Sequence, residues 1–465
     1  MTITMDRALD ELRRRMTGRV ITAPDADYDR ARSVWNGAID RRPAVIARCG
    51  GPGDVAAAIE LARTCGWEIS VRGGAHNFGG AAVGDDGLVI DLSGLRKVTV
   101  DPAGRTARCS GGVTLAELDA ATQAHGLATP AGTVSHTGVG GLTLGGGFGW
   151  LTPQFGLSCD NLVSAEVVTA DGQVLRASAG QHPDLFWGIR GGGGNFGVVT
   201  EFEFLLHPVG PLARLALFFW DLDTGVPALT LAQQVIDGLP DRMGIMVAAL
   251  NAPPAPFVPE QYHFQPGYAL LVAAFGADTE HDRLAGEVRA ALPPLFESVT
   301  PIPYVHLQQM LDESAPWGIL AYEKSLNLDA LSPEAIAVIT EQVPRKRSPM
   351  SLVPIFPLTG AYCAAGDDTT AFGGSRSPGI SIGITAVAPE PAALDADRQW
   401  VRQFWSELLP HAPGPGSYVN FMTEYETDRV RASYGPAKYQ RLAAVKARYD
   451  PDNVFHRNPN IDPRG

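Results

Sequence analysis

The sequence predicts an α+β protein with one domain built around an elongated ligand and a second domain covering it. Three observations carry this reading. Strand-like and helix-like runs are mixed over the first two hundred residues without a βαβ repeat, three glycine-rich passages lie within about 130 residues, and composition shifts at His207-Pro208. At 465 residues the chain holds more material than one ordinary core, and 45% hydrophobic with 19% charged residues describes a globular protein.

Charge and cysteine usage narrow the classes. A formal charge of −13 argues against a nucleic-acid surface, and the basic runs Arg13-Arg14-Arg15 and Arg345-Lys346-Arg347 are short solvated faces. No window approaches the roughly 18 apolar residues of a membrane span. The amino-terminal segment reads as an amphipathic helix without the apolar centre of a secretory signal. Five scattered cysteines with no Cys-x-x-Cys pair point away from a disulfide framework and toward a reducing cytoplasm. The ten histidines show no His-x-x-x-His spacing, so no metal site is expected. Oligomeric state leaves no mark on the sequence.

Taken in order, Arg42 to Cys49 reads as a buried strand, and Asp54 to Cys65 as a helix with Asp54 as its cap. Glu68 to Val71 is a second strand. It delivers the loop Val71-Arg-Gly-Gly-Ala-His-Asn-Phe-Gly-Gly80, whose backbone can turn sharply and approach a ligand. His76, among neighbours without bulk, is expected to have both ring faces open and a nitrogen free as ligand, base or nucleophile. Leu88 to Leu92 and Lys97 to Asp101 are further strands, and Thr114 to His125 is a helix ending at Gly126.

The second passage, Gly138 to Gly149, has seven glycines in twelve positions. It lacks the Gly-x-Gly-x-x-Gly spacing of a Rossmann turn, and no helix is expected to open there. Extended backbone running along a flat or phosphorylated ligand is the expectation. From Asn161, two alternating strands meet at Asp171-Gly172, a hairpin signal. The third passage, Asp184 to Gly197, precedes a strand from Val198 to Leu206. Beyond His207-Pro208, helices near Ala228–Leu239, Glu280–Leu292 and Ser332–Val343 and strands near Tyr268–Phe275, Leu352–Phe356 and Ile380–Val387 form a second α+β domain, with a substrate pocket at the junction. The segment from Gly416 holds Tyr418-Val-Asn-Phe and a helix from Pro436 to Tyr449, and returns to the first domain.

Taken together, Arg-Gly-Gly-Ala-His-Asn, Gly-Val-Gly-Gly-x-x-x-Gly-Gly-Gly-Phe-Gly, Asp-Leu-Phe-Trp-Gly-Ile-Arg-Gly-Gly-Gly-Gly-Asn-Phe-Gly and the terminal Asn-Pro-Asn-Ile resemble the berberine-bridge-enzyme-like FAD oxidases of the vanillyl-alcohol oxidase / p-cresol methylhydroxylase superfamily. The resemblance runs from about Arg42 to Pro463. It implies an FAD-binding domain of the p-cresol methylhydroxylase type in two pieces, residues 1–208 and 416–465, with an inserted substrate domain, 209–415, made of an antiparallel sheet backed by helices. It also implies covalent attachment of the flavin through His76. Arg72, Gly73, Gly74, Ala75, His76 and Asn77 are then expected around the pyrophosphate, with Gly79 beside them. Further cofactor contacts are expected from Thr137, Gly138, Gly140, Gly141, Gly145, Gly146, Gly147 and Gly149, and from Gly197, Val198, Asn420, Asn458 and Asn460.

One departure matters. Many members attach the flavin a second time through a Cys three residues before the position held here by Thr137, and this chain has Val134 there, so a single bond through His76 is expected. Cys159 lies well past the passage and reads as a packed thiol. Thr137 falls on the position that governs oxygen access, where a small side chain suits an oxidase that reacts with O2 and releases H2O2. Its hydroxyl is also placed to steer oxygen toward flavin N5.

The implied activity is removal of a hydride from a small or medium organic substrate to FAD, in specialised metabolism. Tyr418 is a candidate base that needs a cation or hydrogen-bond donors to act as one; His136 and Trp150 are candidate pocket residues, with His136 either a catalytic proton carrier or a structural hydrogen-bonder. Glu323, Asp367, Asp368 and Arg376 lie in the substrate domain, where no spacing singles one out. Two other readings stay open, an oxidative cyclase or N5-oxide-type monooxygenase and a non-catalytic flavin-binding protein.

Overall fold

In the computed structural model, which describes the chain from Met5 onward, residues 19–205 build two small sheets and residues 212–388 one large one. The first sheet has four strands in the spatial order Arg19–Ile21, Val45–Arg48, Leu88–Asp91, Ile69–Arg72. The last three run parallel and the first antiparallel. Such a sheet is buried on both faces, and here the helix Pro52–Cys65 covers one of them with Val55, Ala58, Ile59 and Ala62.

That helix departs from expectation at its start. It begins at Pro52, and Asp54 lies inside the first turn rather than at the cap. The Asp54 carboxylate instead accepts the backbone N–H groups of Thr17, Gly18 and Gly50, tying the segment ahead of the first strand to the loop ahead of the helix. Gly66, left-handed at φ 68°, closes the other end.

The second sheet is antiparallel, ordered Val98–Asp101, Thr106–Ser110, Val198–Leu205, Leu162–Val168, Val174–Ser178. Its last two strands form the hairpin expected at Asp171-Gly172, with Gly172 at φ 81°. The second glycine passage is where the backbone differs most from expectation: Val139–Gly145 is a helix, not an extended run. Neighbouring backbone and rings explain it. A Cβ on Gly140 would stand 3.3 Å from the Gly111 carbonyl and 3.5 Å from the Phe202 ring, so the glycines let a helix sit directly on the sheet.

The large sheet has seven antiparallel strands in the order Phe296–Pro303, Leu212–Asp221, Pro266–Ala274, Met243–Asn251, Val353–Leu358, Gly379–Ala388, Leu320–Leu328. Helices Gly225–Asp237, Pro333–Gln342 and Pro391–Leu408 pack on one face. Four of these strands and the helix Pro391–Leu408 go beyond the elements expected from sequence. Met243–Asn251, for example, is buried along nearly its whole length and shows no alternation for a period-two reading to detect. The opposite face looks toward the glycine-rich sheets. Among the described residues no helix is long and apolar enough to cross a membrane.

The carboxy-terminal helices Thr427–Tyr434 and Pro436–Tyr449 return to the five-stranded sheet, where Tyr439, Leu442 and Val445 join the core of Trp187 and Phe196. Lys446 is fully buried there. Its ammonium donates to Asp450 at 2.6 Å and to the carbonyls of Asn195 and Phe455 at 2.8 and 2.9 Å. Removing one member of a buried pair strands the other, so Lys446→Ala is expected to lower stability by about 3–5 kcal/mol, read as a fall in the urea midpoint.

Candidate functional site

All three glycine passages open onto one cavity of 870 Å³ between the small sheets and the bare face of the large one. Gly73 to Phe78, Thr137, Gly138 and Gly140 to Leu142 with Thr133 and Val134 ahead of them, and Gly193, Gly194, Gly197 and Val198 supply the passages' walls. Tyr418 to Phe421, Tyr425, Phe455 and Arg457 to Pro459 close it from the carboxy-terminal segment, and the large sheet forms the facing side.

Two of these passages touch backbone to backbone. A Cβ on Gly74 would lie 2.3 Å from the Gly138 nitrogen, and one on Gly138 would lie 2.3 Å from the Gly74 nitrogen. The first loop is held further by Arg41, which donates to the carbonyls of Gly79, Gly80 and Val83, and by Asn77, whose side-chain oxygen accepts from Tyr425 at 2.8 Å. Beyond the crossing the wall is bare. Added side chains on Gly141 and Gly194 would meet nothing within 4 Å, and both residues face the cavity. Gly141 also lies in the first turn of its helix, where N–H groups have no intrahelical partner.

His76 lines this cavity but is not open on both faces. Trp35 stacks on it with ring centroids 4.5 Å apart and planes 20° apart, and its Nε2 lies 2.9 Å from Nδ1 of His136. Burial, with His136 as the nearest like group, holds the imidazole pKa down at about 3, so the ring is neutral near pH 7. Its remaining exposure is to the cavity.

Tyr418 stands in a cage of Phe148, Phe372 and Phe421, with ring centroids 4.5, 6.1 and 5.0 Å away. Its hydroxyl oxygen accepts the Gly147 N–H at 2.9 Å and the Asn420 amide at 2.7 Å. The two donors ease ionisation, yet burial dominates and pushes the phenol up. No cation is among the groups acting on it.

Several expected site residues lie outside the cavity wall. Arg72 is turned away, donating to the carbonyls of Ala31 and Ser33. Gly79 fits against the Thr423 carbonyl, Gly145 against Asn420, Gly146 against Phe372, Gly147 against Ser158 and Gly149 against the Ala131 carbonyl. At these positions absent side chains serve protein packing. His136 reaches only His76, Trp150 is buried against the strand at Gly244, and Asn460 is not part of the lining although Asn458 is. Cys159 is buried away from the cavity, where desolvation pushes its thiol well up.

The four unranked polar residues of the large domain separate cleanly. Arg376 pairs with Asp160 at 2.7 Å, Asp367 accepts the Arg376 backbone N–H, and the Asp368 carbonyl accepts from Trp187. Glu323 alone lines the cavity. Sequence reasoning also missed Trp35, Tyr425, Gly193 and Gly194. Trp35 carried no signal because its partners are distant in sequence, whereas Gly193 and Gly194 lay in plain view inside the third passage.

A cavity whose lining joins a side-chain-free stretch of wall, a neutral imidazole and the unpartnered buried Oδ1 of Asn458 fits FAD, the cofactor implied by the sequence motifs. The comparisons agree. The family profile described as FAD binding domain matches residues 43–178, and that described as berberine and berberine like matches residues 417–462. The (R)-6-hydroxynicotine oxidase of Paenarthrobacter nicotinovorans is 32% identical over 96% of this chain and 97% of its own length. The crystal structure of 6-hydroxy-D-nicotine oxidase from Arthrobacter nicotinovorans superposes with a TM-score of 0.86 at 28% identity, covering 96% of this chain and 98% of that one. The glucooligosaccharide oxidase of Acremonium strictum, described with a 6-S-cysteinyl, 8α-N1-histidyl FAD, shares the fold at TM-score 0.85 and 22% identity, over 97% of this chain and 99% of its own.

A depressed histidine pKa has a defined sign in acid. Between its ordinary 6.5 and about 3 the unfolded chain binds a proton at His76 that the fold refuses, so stability falls as pH drops through that window. In flavin-free protein, His76→Phe is expected to flatten this part of the acid slope of Tm.

Proposed function

The chain belongs to the FAD-linked oxidoreductases with a berberine-like carboxy-terminal region, and from that membership we propose an oxidase that takes two electrons from a small or medium organic substrate through FAD tethered to His76 and passes them to O2, giving H2O2. The observation that carries the reading is the meeting of His76, Thr137 and Tyr418 on one cavity whose far side is the large sheet. Residues 1–208 and 416–465 serve as the cofactor-binding unit and 209–415 as the substrate-binding unit.

FAD, when bound, supplies the electron acceptor. The protein's part is to hold it, orient the substrate and exclude water. The first-turn N–H groups at Gly140 and Gly141 and the bare stretch at Gly193-Gly194 give the dinucleotide a wall it can lie against. Gly73, Gly74, Ala75, Asn77, Gly138, Gly197, Val198, Asn420 and Asn458 complete that wall.

His136 acts on His76 rather than on substrate. If His76 donates its Nε2–H to His136 Nδ1, its own Nδ1 keeps a lone pair, the form required of a nucleophilic ring nitrogen. Trp35 fixes the ring plane. Among the described residues no cysteine lines the cavity and Val134 does, which supports one tether rather than two.

Tyr418 keeps its proton near neutral pH. With its oxygen already accepting from Gly147 and Asn420, that proton is left to donate, and we assign it to orienting a heteroatom of the substrate. Thr137, on the cavity wall, leaves a narrow side chain where oxygen must approach. Five unpaired cysteines support a reducing, cytoplasmic setting.

The test is acid precipitation followed by peptide masses. Yellow colour is expected to stay with the pellet, with FAD mass on the peptide carrying His76 alone, and His76→Ala is expected to release it. Flavin that washes out of wild type sinks the tether; protein without flavin sinks the cofactor assignment. Once a substrate is found by peroxide release, Tyr418→Phe is expected to lower kcat about 100-fold with flavin content unchanged.

A further inference from the structure

The cavity side of the large sheet is carbon almost throughout, from Phe219 across Leu271, Met246 and Phe356. At one edge the pattern breaks. Glu323, on the strand Leu320–Leu328, turns toward the cavity while its neighbours Tyr322 and Leu326 join the core under the helices.

This carboxyl is 2% exposed, and its Oε1 has no hydrogen-bond partner. Space for it is reserved on the adjacent strand, since a Cβ on Gly383 would approach Oε1 to 2.9 Å. The adjoining cation is committed elsewhere: Lys324 reaches Glu424 at 3.2 Å and Glu426 at 3.6 Å and lies over the Trp405 ring. A lone buried carboxylate is costly unless a cation or donor completes it, and the protein supplies none at Oε1.

We propose that the cavity binds a substrate with an apolar or aromatic body bearing a basic amine, and that Glu323 Oε1 receives an N–H of that amine. The proposal rests on the oxidase reading and names the substrate class of the same site. Burial pushes the carboxyl well above the usual carboxylate range, with the Thr385 hydroxyl the one side chain easing it, so by itself the group is held toward its uncharged form. An ammonium at contact distance reverses that preference, because an opposite charge favours the ionised form. The apolar sheet then holds the body of the molecule, and the amine sets which end lies at Glu323.

The probes are 2-phenylpyrrolidine and its neutral isostere 2-phenyltetrahydrofuran, titrated calorimetrically into the purified holoenzyme and into its Glu323→Gln and Glu323→Asp variants. Wild type is expected to bind the amine at least about tenfold more tightly than the ether, as for a hydrogen bond to a charged group. Glu323→Gln should bring the two probes within about twofold, and Glu323→Asp, which keeps the charge, should retain the order. Equal or tighter binding of the ether by wild type overturns the proposal. So does a tenfold preference that survives Glu323→Gln, or no binding of either probe. Because the wild-type pair decides by itself, a variant that fails to fold leaves the proposal open to refutation. Calorimetry needs no flavin signal, and flavin absorbance is recorded on the same samples, so a failed cofactor assignment is scored separately.

Discussion

The site depends on a contact between two backbones. Gly74 and Gly138 cross so closely that neither could carry a methyl group, and this crossing sets the His76 loop against the start of the helix Val139–Gly145. Everything the first loop presents is referred to that point. His76 then meets Trp35 and His136, the Asn77 side chain meets Tyr425, and the loop's outer turn is caught by Arg41. Few of these partners are near in sequence. The loop is shaped by distant parts of the fold, which is how a glycine-rich segment of small intrinsic preference can hold one conformation.

The cavity has two unlike sides. One is backbone, with peptide groups exposed by missing side chains; the other is a sheet face of aliphatic and aromatic residues. A ligand lying between them is held by polar contacts along one edge and by desolvation along the other. Ionisable groups are sparse on these walls, and burial strongly biases His76, Tyr418 and Glu323 among them. His76 is kept neutral, Tyr418 protonated and Glu323 uncharged until something arrives to pair with it.

Much of this was legible from residues in order. Asp171-Gly172 announced its hairpin, Pro436–Tyr449 its helix, and the glycine passages their convergence, because turn chemistry and helical periodicity are local. What stayed hidden was what depends on distant neighbours. The helix Val139–Gly145 is poor in helix formers and is held by close packing on the sheet, so propensity pointed the wrong way. Strand Met243–Asn251 is buried along nearly its whole length and shows no alternation. Arg72 and the glycines from Gly145 to Gly149 sit in the right motifs, yet their contacts are with protein; a motif marks a region without saying which atoms face the ligand. Glu323 was one of four equal candidates until the strand's facing direction separated it from Asp367, Asp368 and Arg376.

The closing wall formed by Tyr418 to Phe421, Phe455 and Arg457 to Pro459 comes from the carboxy-terminal segment, and its second stretch is clamped by Lys446, Asp450 and Asn195. Without this wall the glycine passages and the large sheet would bound a trough open on one side. Docking converts the trough into a chamber. A large occupant is therefore enclosed only where this segment is docked, and not by the two sheets alone.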